Sequence, residues 1–596
     1  MAKNTLQFCT LTTPFEKDTE YSWQDYPRPQ LKRDSYISLC GKWQLAVKKY
    51  EVKTKKYSRF TTHHTVSRSG DFTLTQLGEI TVPYPPESRI SGIERQLEEN
   101  ETYLYTTKFI LDETFIKDKV LLHFGAVDTN AVVKLNGKLA GTHRGGYLPF
   151  TLDITDCVNT GENVVEVEVE DTLDIDLAYG KQRRDRGGMW YTPISGIWQP
   201  VWVESVTEDY IKSLRLTPSL DSVTIETVGG ADEKTVLIHS ENGICEYRFT
   251  GDRAEIKIEN PVLWSPENPY LYYFTLISGN DRTESYFALR TVTVENVKGQ
   301  RYICLNGRPY FFHGLLDQGY FSDGIYTPAT PQGYVWDILE MKKLGFNVLR
   351  KHIKIEPDLF YYYCDKYGMI VFQDMMNAGK YNFIIDTALP TIGMKKGVTH
   401  RPSARRREFF EKEIRILTDL LYNHPSVCYY TIFNEGWGQY EADRIYKEMK
   451  EYDHTRIWDA TSGWFIEKDS DVDSHHIYFR RIKLKARKER PLVLSEFGGY
   501  SWKVEGHSFN ITEEYGYKKF KSKEELTKGI QDMYMNDIIP CIENGLNAAI
   551  LTQVSDVEDE TNGIATYDRQ VIKTDEKTMQ DIAKRLEIAF EKNIKP

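Results

Sequence analysis

Two glutamates carry the chemistry this sequence offers most plainly. Glu435 follows the apolar run Val427 to Phe433 in the segment Asn434-Glu435-Gly436-Trp437, and Glu496 follows Pro491 to Leu494 in Ser495-Glu496-Phe497-Gly498-Gly499. A carboxylate just past a buried strand, beside glycines that admit a ligand close to the backbone, costs stability unless it is paired or functional. For either glutamate alone the bland reading is a structural ion pair. Two carboxyl groups about 5 to 5.5 Å apart are a different case, because one can donate a proton while the other attacks, the arrangement of a retaining glycosidic cleavage.

Such a pair needs a scaffold that brings distant strand ends together. From near Lys298 onward, strand-like apolar runs alternate with amphipathic helix patterns: PYFFHGLL, FNVLRKHI, MIVFQDM, VCYYTIFNE, RIWDATSG, SHHIYF, PLVLSEFGG and AAILTQVSD are the strand candidates. Eight of them over roughly 290 residues predict a (β/α)8 TIM barrel, with chemistry at the strand C-termini. Glu435 then ends strand four and Glu496 lies at strand seven. A doubly wound sheet is the alternative, but no GxGxxG or GxxxxGK[ST] loop follows any strand.

The preceding chain reads as all β. Between about Gly41 and Val206, short alternating runs predict a jelly-roll or sandwich; Glu162 to Asp171 interleaves Val164, Val165, Val167 and Val169 with Glu166, Glu168 and Glu170. Asn136-Gly137 predicts a tight hairpin turn. A second β stretch, from about Tyr210 to Val297, has the size of an immunoglobulin-like sandwich. The expected division is therefore 1–207, 208–297 and 298–596.

Composition narrows the function classes. With 40% hydrophobic and 27% charged residues the chain is ordinary globular protein. The 76 Lys and Arg against 87 Asp and Glu give a charge of −11, a field that repels phosphate backbones and anionic lipid, so neither nucleic acid nor membrane is an expected partner. The basic run Arg480 to Arg490 (RRIKLKARKER) is read as a solvated loop and helix rather than a nucleic-acid patch. The eight cysteines are scattered singly, which predicts reduced, mostly buried thiols and no zinc site. The N-terminal segment lacks an uninterrupted apolar core and no long apolar span occurs, which points to a cytoplasmic protein.

Taken together, these features resemble glycoside hydrolase family 2, the family of bacterial β-galactosidases, β-glucuronidases and β-mannosidases. Supporting motifs are GMWYTPISGIWQPVWVE (Gly188 to Glu204), LGFNVLRKHIK (Leu344 to Lys354) and YNHPSV (Tyr422 to Val427). The resemblance implies the order jelly-roll sugar-binding-like domain, immunoglobulin-like domain, catalytic barrel. It implies Glu435 as general acid/base, Glu496 as nucleophile and Asn434 as a ligand for the sugar 2-hydroxyl. Tyr478, in His475-His476-Ile477-Tyr478, resembles the barrel tyrosine that hydrogen-bonds the nucleophile, and His476 is a further substrate-binding candidate. Arg350 and His352 resemble residues that orient the nucleophile and contact the sugar. Asp317 and Gln318 are candidate hydroxyl ligands, Asp374 a third barrel-mouth carboxylate, and Trp437 a candidate stacking wall.

Departures from the family pattern bear on substrate. Asp374-Met375-Met376-Asn377 replaces the Glu-x-His magnesium pair of large β-galactosidases, so no catalytic metal or other cofactor is expected, and Gly188 stands where they place an Asp. The Asn-x-Lys pair of β-glucuronidases is absent after strand eight, where Asp556, Glu558, Asp559 and Glu560 are expected to repel a uronate. A retaining exo-β-glycosidase acting on a neutral hexose, most simply a β-galactoside, is the resulting expectation. Its rivals are a β-glucuronidase, β-mannosidase or α-L-arabinosidase, an endo-acting barrel glycosidase, and a non-catalytic carbohydrate-binding protein. A chain of this length is expected to end with its barrel, and a homo-oligomer is open.

Overall fold

A computed structural model describes residues 7–594 apart from 18, 20–21, 57–61, 67–69, 241–242, 392–400 and 466. The ends of the first and third expected domains, 1–6 and 595–596, thus lie outside the described residues. Two antiparallel sheets form the first region. The six-stranded one runs Lys138–Arg144, Asn130–Leu135, Gly161–Glu170, Glu101–Leu111, Gly41–Tyr50, Phe72–Val82, and the four-stranded one Tyr36–Ser38, Val201–Val206, Lys119–Phe124, Phe150–Asp153. Strand Gly161–Glu170 turns Val165, Val167 and Val169 inward and keeps Glu166 and Glu168 half exposed, as the alternation predicts. Asn136 (φ 52°) and Gly137 (φ 77°) make the hairpin turn between Asn130–Leu135 and Lys138–Arg144.

Seven strands from Ile211–Pro218 to Asp281–Phe287 form the second sandwich, closed over Val223, Ile225, Val236, Phe274 and Leu276. It is bound to its neighbours by buried cations. Arg33 donates to Glu204 of the first sandwich (3.2 Å) and Asp281 of the second (2.9 Å), while Arg290 donates to the Pro425 and Val427 carbonyls of the barrel (3.0 and 2.9 Å). The expected division at 297/298 falls at the turn of a hairpin, Val292–Val297 with Gln300–Leu305, whose Val292, Ile303 and Leu305 pack under the barrel against Phe312 and Val348.

The barrel strands, numbered here β1 to β8, are Phe312–Asp317, Val348–Lys351, Ile370–Asp374, Val427–Asn434, Ile457–Ser462, Asp473–Ile477, Leu492–Gly498 and Leu546–Thr552. All eight candidate runs form strands, and all neighbouring pairs are parallel. Their order, β5-β4-β3-β2-β1-β8-β7-β6, leaves β5 and β6 without a ladder. Asp471 closes that gap, its N–H donating to the Trp458 carbonyl (3.0 Å) and its carboxylate accepting from Trp458 N–H (2.9 Å). Helices follow the pattern too: in Ala404–Leu421, capped by Ser403 accepting from Arg406 N–H, Phe410, Ile414, Leu417 and Leu421 recur at helical spacing and are buried.

One element differs from expectation. Arg480 to Arg490 contains no helix. Ile482, Leu484 and Ala486 recur at period two and pack inward while the intervening lysines face solvent, which fixes an extended loop. All eight cysteines are free; Cys304, Cys364, Cys428 and Cys541 are buried and Cys245 is exposed. No described helix is long and apolar enough to cross a membrane.

Candidate active site

Strand ends β3, β4, β5 and β7 converge on one buried guanidinium carried by β2. Arg350 donates to Asp374 Oδ1 (3.0 Å), Glu496 Oε1 (3.0 Å), Asn434 Oδ1 (2.9 Å), Ser462 Oγ (3.1 Å) and the Ser495 carbonyl (2.9 Å). Five acceptors from four strands would repel one another without it. A rigid planar donor fork suits that role, and a flexible lysine does not.

Glu435 is the first residue past β4. Its backbone is left-handed (φ 53°) and it is followed by Gly436 (φ 69°), so the chain turns sharply and aims the carboxyl across the barrel mouth. Burial pushes this carboxyl above the usual glutamate range, against the opposing pull of the Trp464 indole, Lys181, His352 and Arg350. Glu496 has an opposite environment: Arg350 on one oxygen and the Tyr478 hydroxyl donating to the other at 2.5 Å. Between them stands His476, with Nδ1 2.8 Å from Glu435 Oε1 and 3.4 Å from Glu496 Oε2. One oxygen of each glutamate and His476 Nδ1 all lie within 4.8 Å of one another. These three groups are also where a cation would find converging ligand atoms among the described residues, but the Arg350 guanidinium already supplies positive charge there.

The remaining histidine is equally constrained. His352 Nδ1 lies 2.8 Å from Asp374 Oδ2, and burial pushes the imidazole down to about 4. Burial works to raise Asp374, yet Arg350 and His352 hold it below the usual carboxylate range, so Asp374 accepts and His352 Nδ1 carries the proton. Its Nε2 is left as an acceptor on the cavity side. Asn434 is fixed similarly: Oδ1 takes the Arg350 and Ser462 bonds, which leaves the amide N–H2 for a ligand.

Glu435, Glu496, Asn434 and His352 border an open cavity that also admits Gln318, Trp437, Tyr478, Thr552 and Tyr517. Gln318 donates to Gln553 (2.9 Å), Gln553 to Asn562 (2.7 Å) and Asn562 to Glu560 (2.9 Å), a chain that ends on the cavity. Trp437 packs edge-on against Trp190 (centroids 5.2 Å apart) and Tyr381 (5.9 Å). Asp317 is not brought into this set. Its carboxylate is committed to Lys351 Nζ (2.7 Å) and Gly319 N–H (2.8 Å) beneath the floor.

The acidic stretch after β8 is also placed differently from its expected role. Asp556 pairs with Lys573 (2.7 Å), Glu558 with Arg186 (2.8 Å), and Asp559 accepts from Asn510 (2.8 Å); of the four, Glu560 alone lines the cavity. Lys181, Met189 and Trp190, carried by the long irregular segment between Glu170 and Gly196, complete the wall. The sequence reading assigned no role to these three. The available signal was the length of that segment together with its tryptophan, since long loops without secondary structure are commonly functional.

Comparisons agree with this architecture. Residues 56–196 match the profile of the glycosyl hydrolase 2 galactose-binding domain-like family, 204–290 that of glycosyl hydrolases family 2, and 296–586 that of the family 2 TIM barrel domain. A β-galactosidase of Thermoanaerobacter pseudethanolicus is 26% identical over 439 residues, covering 68% of this chain and 54% of that protein. The chain spans about half the length of the first curated relatives it matches. Among solved structures, a β-glucuronidase from an uncultured Clostridium species superposes with TM-score 0.70 at 17% identity, covering 94% of this chain and 99% of that one. A β-galacturonidase from Eisenbergiella tayi bound to galacturonate gives 0.65 at 17% identity, with 94% and 99% coverage. At such identities the likeness bears on the fold.

Proposed function

The chain belongs to glycosyl hydrolase family 2, and from that premise we propose that it is a retaining exo-β-glycosidase. The observation that carries the reading is the separation of the two carboxylates, whose nearer oxygens lie within 4.8 Å. That is in keeping with the roughly 5 to 5.5 Å spacing at which the second carboxylate acts directly on the sugar, and it falls short of the roughly 6.5 to 9.5 Å of inverting pairs. Glu496, held by Arg350 and Tyr478, attacks the anomeric carbon while Glu435, whose carboxyl burial pushes above the usual glutamate range, gives its proton to the departing oxygen. Glu435 then takes a proton from water, the water oxygen bonds to the anomeric carbon, and the Glu496 carboxylate is released. Asn434, with its amide N–H2 free, is the ligand for the 2-hydroxyl.

The glycone most simply read from the sequence is β-galactose, and relatives named β-galactosidase support it. A second reading, a β-uronide, is favoured by Lys181. Among the described residues it is the one lysine or arginine lining the cavity, and it forms no ion pair there. A cation so placed favours a substrate carboxylate, and in the acidic stretch that argued against one Asp556 and Glu558 are paired with Lys573 and Arg186. A panel of 4-nitrophenyl β-galactoside, β-glucoside, β-mannoside, β-glucuronide and β-galacturonide, run with Glu496→Gln as control, tests both. Turnover confined to neutral sugars removes the second reading, and turnover that survives Glu496→Gln removes the proposal as a whole.

A further inference from the structure

His476 is held by more than packing. Its Nε2 lies 3.3 Å from Arg350 Nη1, and a guanidinium only donates, so Nε2 accepts. Burial keeps the ring neutral, its pKa pushed down to about 3 in spite of the Glu496 charge. The single ring proton therefore sits on Nδ1, which faces Glu435 Oε1 at 2.8 Å and Glu496 Oε2 at 3.4 Å. Gly463, at the end of β5, makes the space: a Cβ there would come within 2.2 Å of the His476 ring. One donor, its tautomer set by Arg350, thus hydrogen-bonds Glu435 with Glu496 close enough to compete for it.

Resting on the two-carboxylate reading above, we propose that His476 is a positioning residue whose Nδ1–H orients Glu435 and acts chiefly in the second half of the reaction. In the first half Glu435 must hold a proton. With Oε1 engaged by His476, that proton belongs on Oε2, and it leaves with the aglycone oxygen as the bond from Glu496 to the anomeric carbon forms. In the covalent intermediate Glu496 is an ester and competes less for Nδ1–H. The donor then goes to Glu435 alone, now a carboxylate that must take a proton from water while the water oxygen displaces Glu496. With Oε1 fixed by Nδ1–H, Oε2 is the oxygen aimed at the water, an orientation that a group merely filling space would not provide.

The test compares His476→Leu, which keeps bulk, with His476→Asn, whose side-chain amide supplies a donor close to the Nδ1 position. The substrate is the 2,4-dinitrophenyl β-glycoside of whichever sugar the panel selects, because that leaving group needs little proton donation. For His476→Leu the expected result is a kcat lowered about 10- to 100-fold with KM lowered alongside it, so that kcat/KM changes less than about threefold. Intact-mass spectra should show glycosylated protein accumulating, and His476→Asn should recover most of kcat. The inference is overturned if kcat and kcat/KM fall together without an adduct, if the two variants behave alike at unchanged thermal midpoints, or if neither variant changes the rate. A parent protein inactive on every arm of the panel fails the glycosidase reading first, and the role of His476 with it.

Discussion

Glu435 is held in a left-handed backbone conformation that glutamate rarely adopts, at a cost of order 1–3 kcal/mol. That cost is accepted where a side chain must be aimed, and here it is aimed at an oxygen of Glu496. The raised pKa sets a direction for the pH profile. As the acid in the free enzyme, Glu435 must be protonated, so kcat/KM falls as pH rises through its folded pKa. The alkaline limb should therefore lie above the ordinary glutamate range, and it should vanish in Glu435→Ala. That variant should retain more rate on dinitrophenyl than on alkyl glycosides and should be rescued by azide. Glu496→Gln should lose about 10³-fold or more on every substrate. Both carboxylates were legible because each ends an apolar run beside glycine. Lys181 was not, because in LysGlnArgArgAspArg (181–186) it looks like any solvated cation, and nothing local tells that its loop reaches a barrel formed more than 130 residues later.

At the scale of elements, the eight barrel strands were readable from apolar runs, since parallel strands covered on both faces show continuous hydrophobicity. Less legible were features that depend on side-chain partners across space. The unpaired edge between β5 and β6 is closed by Asp471, and the extended loop Arg480 to Arg490 follows a period-two pattern that its charge density conceals. Gly463 joins element to site. Gly463→Ala places a Cβ 2.2 Å from the His476 ring at φ 81°, and should lower kcat without touching substrate. Gly137→Ala meets nothing within 4 Å and strains the backbone alone, so it should cost about 1 kcal/mol of stability and leave kcat intact. Chemical denaturation and steady-state rates measured on both variants separate the two effects.

Across the whole molecule, the cavity is built by two regions of the chain, the barrel and the first sandwich, so the catalytic geometry depends on how they are tied. Arg33, Arg28 and the fully buried Glu204 join the first sandwich to the second, which Arg290 in turn joins to the barrel. Burial works to raise the Glu204 carboxyl, but Arg28, His123 and Arg33 bring it down to about 2. Because the folded value lies below the unfolded one, this contribution to stability is present above about pH 4.5 and is lost as pH falls toward about 2. Arg33→Met leaves Glu204 and Asp281 less compensated and should cost about 3–5 kcal/mol, read as a lowered thermal midpoint whose loss shrinks in acid. The three-part order was visible in the sequence as a change from alternating to helix-interrupted patterns, whereas these ties join residues up to 248 positions apart and left no local signal. The central claim, that Glu435 and Glu496 act as a retaining pair, is met most directly by proton NMR of the first sugar released from a nitrophenyl β-glycoside. The carboxylate separation predicts the β anomer, appearing before mutarotation, and initial release of the α anomer would contradict it.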